Sequence, residues 1–170
     1  MIKSEKRLKE LETVLNENND ETSVKAISSL REEESFEGAV SLLAELYNRS
    51  GNRLIIKTIE SFFNDLKDSS VRPEIIEEIR KKRSNETTRM LLSSCWQSGL
   101  DYSSWVVDLT DIFLKSDYLL GIECMTIIEY SIENISKATR EKMIKMIEEG
   151  IKSPVGEKSP LALELVNILR

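Results

Sequence analysis

A shift of 66 residues lays one long stretch of this chain onto another. Val40 falls on Val106, Leu43 on Leu109, Leu46 on Ile112, Tyr47 on Phe113 and Ser50 on Ser116. The register continues with Ile56 on Ile122, Ile59 on Met125, Phe62 on Ile128 and Leu66 on Ile132. Half that shift, 33, carries Leu46 onto Ile79 and Ile59 onto Leu92. Self-similarity at such a period constrains a fold strongly, because each copy is one small unit that buries its apolar face only by stacking on the next.

The copies are helical. Matched apolar positions recur three and four apart, the period of an amphipathic helix, and alternating strand patterns are missing. Over 51–68, Ile55, Ile56, Ile59, Phe62, Phe63 and Leu66 form one stripe, while Arg53, Lys57, Glu60, Asn64 and Lys67 face away. The same reading predicts helices near 4–17, 22–33, 36–49, 51–68, 73–83, 86–98, 102–115, 118–133, 137–149 and 160–169. Only 3 prolines and 6 glycines interrupt them. Gly99-Leu100 and Gly150-Ile151 read as left-handed helix stops followed by an apolar residue. Asp101 and Asp117 read as N-caps, and Ser159-Pro160 as a cap before a first-turn proline. Short loops make sequential helices antiparallel neighbours. The expected fold is all-α, a right-handed α-α superhelix (solenoid) of about five antiparallel helix pairs in a single domain, 1–170, with the clearest repeats at 36–68, 72–100 and 102–135. A non-repetitive helical bundle is the alternative.

Paired helices over 39–68 and 105–134, with tight turns at Asn48-Arg49-Ser50-Gly51 and Lys115-Ser116-Asp117, resemble the HEAT repeat family and its bacterial HEAT-like relatives. The resemblance covers residues 36–135 best; armadillo-like and tetratricopeptide-like arrays stay open beside it. It implies a non-catalytic scaffold that receives a protein or peptide on a concave surface formed by the second helix of each pair. On this phasing that face presents Arg53, Lys57, Glu60, Asn64, Arg89, Ser93, Gln97, Glu123, Thr126 and Tyr130. Lys57, Met90 and Glu123 fall in one row and Glu60, Ser93 and Thr126 in the next. Mixed charge favours an extended peptide with polar and apolar anchors. The alternative function is nucleic-acid binding or processing, resembling the HEAT-like DNA glycosylases, with Trp96 and Arg89 the nearest counterparts by residue type. A lyase role like that of the phycobilin HEAT-like enzymes finds no suggestion of a chromophore site, and no cofactor is expected.

Composition narrows the chemistry. The 170 residues contain no histidine, which removes the Ser-His-Asp and Cys-His arrangements, histidine-ligated zinc and the commonest general base. Asp108 and Asp111 stand three apart, but such carboxylate pairs arise in any acidic helical protein, and no phosphate-binding glycine loop accompanies them. Cys95 and Cys124 sit among apolar residues and read as buried thiols. The formal charge is -6, with 15 basic and 17 acidic side chains in residues 1–85 and 9 and 13 in 86–170, so neither half is a basic domain suited to phosphate tracking. The one basic cluster, Arg80-Lys81-Lys82-Arg83 with Arg72 and Arg89 nearby, follows Glu74, Glu77 and Glu78 at a helix end, where cations complement the macrodipole. Glu32-Glu33-Glu34 reads as a solvated helix end. No stretch approaches the length of a membrane span and no apolar run follows the N-terminal charges, so a cytoplasmic location is expected.

Two features leave alternatives open. Trp96, Tyr102 and Trp105 cluster about the turn at Gly99, either filling the wedge between helix pairs or anchoring a partner. Helix 160–169 is apolar except for Glu164 and Asn167 after its first turn, which calls for a cover. The cover is either a second copy, as a two-fold homodimer through this helix, or deeper packing onto the preceding pair.

Overall fold

The computed structural model describes residues 3–81, 83–151 and 156–170, and among these every regular element is helical. Four helices begin on side-chain caps spaced almost evenly along the chain. Asn19 accepts from the Thr22 amide ahead of α2 (Asp20–Leu30), and Asn52 from Leu54 and Ile55 ahead of α4 (Arg53–Asn64). Ser84 accepts from Thr87 ahead of α6 (Asn85–Gln97), and Asp117 from Leu120 ahead of α8 (Tyr118–Tyr130). Each cap satisfies amide groups that a helix start leaves without partners. Their spacing of 32 or 33 residues is half the 66-residue repeat.

The chain divides into two compact units, Met1–Leu100 and Asp101–Arg170. In the first, α1 (Lys3–Asn16), α3 (Ala39–Arg49) and α5 (Arg72–Arg80) alternate with α2, α4 and α6. α3 touches α1 and α5, while α4 touches α2 and α6; further contacts join α1 to α2, α3 to α4 and α5 to α6. First helices thus lie beside first helices and second beside second. Between the layers, Ile27, Leu43, Ala44, Ile59, Phe63, Ile75, Leu91, Leu92 and Cys95 are fully buried, and the Phe62 and Phe63 rings meet edge to face at 5.4 Å.

The second unit holds α7 (Val106–Lys115), α8, α9 (Lys137–Ile151) and α10 (Ser159–Leu169). α7 touches α8 and α9, and α10 touches both α8 and α9. Leu109, Cys124, Ile127, Ile128, Met143, Ile147, Ala162 and Leu165 are fully buried. α10 buries Leu161, Ala162, Leu165, Val166 and Leu169 within the unit and leaves Leu163 60% exposed. Packing on α8 and α9 therefore covers most of the apolar surface that its sequence presents.

All ten expected helices are present, displaced by at most four residues at either end. Three punctuation readings need correction, and the one at Gly99 stands. Gly150 is no helix stop: it lies inside α9, and a Cβ there would come within 2.6 Å of Leu114 Cδ2, so the glycine permits close approach rather than a left-handed turn. Gly99 does take the left-handed conformation, with φ 71°. Asp101 stands one residue ahead of the cap position, Tyr102, of the 3-10 turn Ser103–Trp105, and accepts from the Ser103 amide at 2.9 Å instead of capping α7. Ser159 is already helical, with Lys158 at the cap position and no side-chain cap.

Lys158 makes a different connection. It is only 8% exposed, and its Nζ donates to the carbonyls of Phe113 at 2.6 Å, Leu114 at 3.1 Å and Ser116. These carbonyls close α7, where a cation complements both the orphan acceptors and the negative helix end. Burial pushes the ammonium below the usual lysine range, with the neighbouring Cys124 and Asp117 acting in the opposite direction.

Candidate functional site

In the first unit, the residues expected on the second-helix face lie on α4 and α6, which touch. Arg53 and Lys57, one turn apart near the start of α4, are exposed, and Leu54 beside them is 58% exposed. The α4 start is fixed by Asn52, whose Oδ1 accepts from Leu54 at 2.8 Å and Ile55 at 3.2 Å while its Nδ2 donates to Asp20 at 2.6 Å. Glu60 is turned toward the first-helix layer: it is half-buried, and its Oε1 accepts from the Tyr47 hydroxyl at 3.0 Å. Burial, followed by the Glu60 hydrogen bond and charge, pushes the Tyr47 hydroxyl up to about 12. Asn64 is half-buried. On α6, Arg89 and Gln97 are exposed, and Gln97 Nε2 donates to the half-buried Ser93 Oγ at 2.5 Å.

The three expected residues of the second unit stand differently along α8. Glu123 is only 8% exposed, so it does not present a carboxylate to solvent; Met90, its counterpart one repeat earlier, is buried as well. The expected row of Lys57, Met90 and Glu123 is therefore not a row of solvent-facing side chains. Thr126 is half-buried and returns its hydroxyl to the Ile122 carbonyl at 2.9 Å, while Tyr130 is 69% exposed. The aromatic residues near Gly99 are largely withdrawn: Tyr102 is buried and lies 6.0 Å from the half-buried Trp105 ring, and Trp96 is half-buried.

A groove of about 580 Å³ runs between the start of α3 and α5, lined in part by Phe36, Ser41, Val71, Glu74, Glu78 and Lys81. Gly38, at φ 90°, precedes α3 and has no side chain to cap it. The cap comes from another helix: Glu74 Oε1 accepts from the Gly38 and Ser41 amides, each at 3.1 Å. Burial raises the Glu74 carboxyl above the ordinary glutamate value, partly offset by these two amides. Next to it, the buried Glu78 is held by Lys81 and by Arg83, whose Nε and Nη2 donate at 2.9 and 2.8 Å. Burial alone would raise Glu78, yet hydrogen bonds from Lys81, Ser41 and Arg83 with the Arg83 charge hold it below its ordinary value.

These pairs account for most of the basic cluster. Arg80 meets Glu77, Lys81 and Arg83 meet Glu78, Arg72 Nε donates to the Ser69 carbonyl at 2.9 Å, and Lys82 lies outside the described residues. The groove escaped the sequence reading because its central cap joins residues 36 positions apart; the available signal was an α3 start with neither Ser, Thr, Asp nor Asn at its cap.

Both cysteines are fully buried, with Cys95 Sγ donating to the Leu91 carbonyl at 3.3 Å. Among the described residues no cluster of three or more His, Cys, Asp or Glu side chains is arranged to hold a metal ion, and no helix is long and apolar enough to cross a membrane. The site chemistry is thus that of an exposed helix face bearing cations, an amide and an isolated leucine. No protein-family model, curated protein or solved structure matches the chain.

Proposed function

We propose that this protein is a non-catalytic scaffold of HEAT-like stacked helix pairs, forming a right-handed solenoid, that holds a protein or peptide on the outward face of its second helices. The observation that supports this reading is the layering of the first unit. α2, α4 and α6 touch in succession, as do α1, α3 and α5, so the second helices lie side by side in one layer and the first helices in the other. A face of this kind offers exposed side chains from successive helices to an extended ligand at little ordering cost to itself. The exposed residues best placed to act are Arg53, Lys57, Arg89 and Gln97.

Photocrosslinking tests the reading. A benzophenone amino acid is placed in the full chain at position 57 or 97 on second helices, or at exposed positions 12 or 45 on first helices. Incubation with extract of the source cell should give a discrete protein adduct from 57 and 97 and none from 12 and 45. Adducts confined to the first helices would move the site to the other layer, and absence of adducts throughout would count against a scaffold role.

A further inference from the structure

The charges of α4 run against its own macrodipole. Arg53 and Lys57 stand near its start, where the helix end is already positive, and there is no acid in the first turn and no base in the last. α5 and α7 have the stabilising order, with Glu74 and Asp108 in their first turns and Arg80 and Lys115 in their last. An exposed cation at a helix N-terminus costs stability, and local rules broken in this way tend to mark surfaces kept for binding. Asn52 already accepts from the Leu54 and Ile55 amides, so the attraction offered to a ligand comes from side chains rather than open backbone donors. Neither Arg53 nor Lys57 meets a carboxylate among the described residues, and Glu60, one turn further on, is bonded to Tyr47. Leu54 supplies exposed apolar surface beside the two cations.

We infer that Arg53, Leu54 and Lys57 anchor an acidic peptide segment of a partner protein, with an apolar side chain seated on Leu54 and flanking carboxylates on the two cations. This rests on the scaffold reading and names the chemistry of its partner. Charge complementarity of this kind sets register and specificity. Nucleic acid is the poorer occupant. Its affinity comes from about six to ten phosphate contacts in a typical complex, whereas this face offers few cations on a chain of net charge -6.

The test is to pan a random phage-displayed library of short peptides on the full chain, then measure synthetic versions of the enriched peptides by fluorescence anisotropy. The expected peptides carry Asp or Glu on both sides of a large apolar residue. Their affinity should fall by about tenfold or more in the double variant Arg53→Glu, Lys57→Glu, and should weaken as salt is raised. The double variant should melt no lower than wild type, because its new acids suit the helix end, whereas a structural role for the two cations would lower its melting temperature. Enrichment of basic or uncharged peptides, or equal binding by the double variant, would overturn the inference and leave the scaffold reading standing. Failure to enrich any peptide would overturn both. An oligothymidine that binds wild type but not the double variant would reassign the face to nucleic acid.

Discussion

Asn48 Oδ1 accepts a hydrogen bond from the Thr87 hydroxyl at 2.9 Å and another from the Ser84 amide at 3.0 Å. One amide oxygen thereby ties the end of α3 to the capped start of α6, the second helix of the next pair. Replacing Asn48 by Ala should cost about 1 to 2 kcal/mol, since the buried Thr87 hydroxyl and a cap-residue amide lose an acceptor. Asn48→Asp, which keeps the acceptor, should recover most of that loss in urea unfolding.

Phe62 and Ile128, equivalent positions of the 66-residue repeat, are both buried, one in each unit. Truncation of either to Ala should destabilise by about 2 to 5 kcal/mol through lost transfer energy and a residual cavity. Chemical denaturation of the two single variants checks this. A near-neutral result at either would contradict the packing described.

Gly38 and Gly150 should respond differently to alanine. At Gly38 the backbone is left-handed at φ 90° and a Cβ would meet two Leu8 methyls at 2.8 Å, so Gly38→Ala should cost about 1 to 2 kcal/mol or more. At Gly150 the clash is with the mobile end of a half-buried leucine, Leu114, and the residue is helical, where alanine is favoured by about 1 kcal/mol. Gly150→Ala should therefore lie within about 1 kcal/mol of wild type in thermal melts, once Leu114 has rotated.

Lys158→Met keeps the aliphatic stem of the side chain and removes the donor to three carbonyls at the end of α7. A loss of about 1.5 to 3 kcal/mol is expected, the range for hydrogen bonds to a charged group. Limited proteolysis should show faster cleavage near the start of α10 in the variant, because Lys158 immediately precedes that helix.

Acid unfolding should pass through Glu78. Its folded pKa lies below the unfolded value of 4.5, so its contribution is fully present above that pH and is lost as pH falls through the lower, folded value. Glu74 acts in the reverse sense: its raised pKa means that its burial penalty is relieved as pH falls toward 4.5. Glu78→Gln should lower stability at pH 7, by up to about 3 to 5 kcal/mol for a broken buried pair. It should also flatten the acid limb of the pH profile, as measured by urea midpoints between neutral and acid pH.

The helices are legible because their apolar stripes are wide; Phe62 and Ile128 lie where periodicity places them and Asp117 where capping chemistry does, whereas the Asn52 cap falls inside the range that periodicity alone assigns to a helix. Glu123 was misplaced for a related reason. Its register with Lys57, 66 residues earlier, puts it on the outer side, but α8 is apolar almost all round and no stripe of its own marks which side faces out. Gly150 and Gly99 look alike in sequence, yet one accommodates a neighbouring leucine and the other a left-handed turn, and only the backbone angle separates them. Glu74 and Lys158 carry no local pattern at all. Their partners belong to helix ends more than thirty residues away, and charged residues on helices are ordinarily solvated.

The layered contacts have a consequence for how the chain acquires its structure. Within each unit, no principal helix contact joins elements more than three places apart in chain order. Such topology has low contact order, so little loop-closure entropy stands between the disordered chain and its first productive pairings. The first two helices can pack and await the third without any segment from the far end of the molecule. Assembly within each unit can therefore proceed in the direction of synthesis, each later helix of that unit finding a surface already formed.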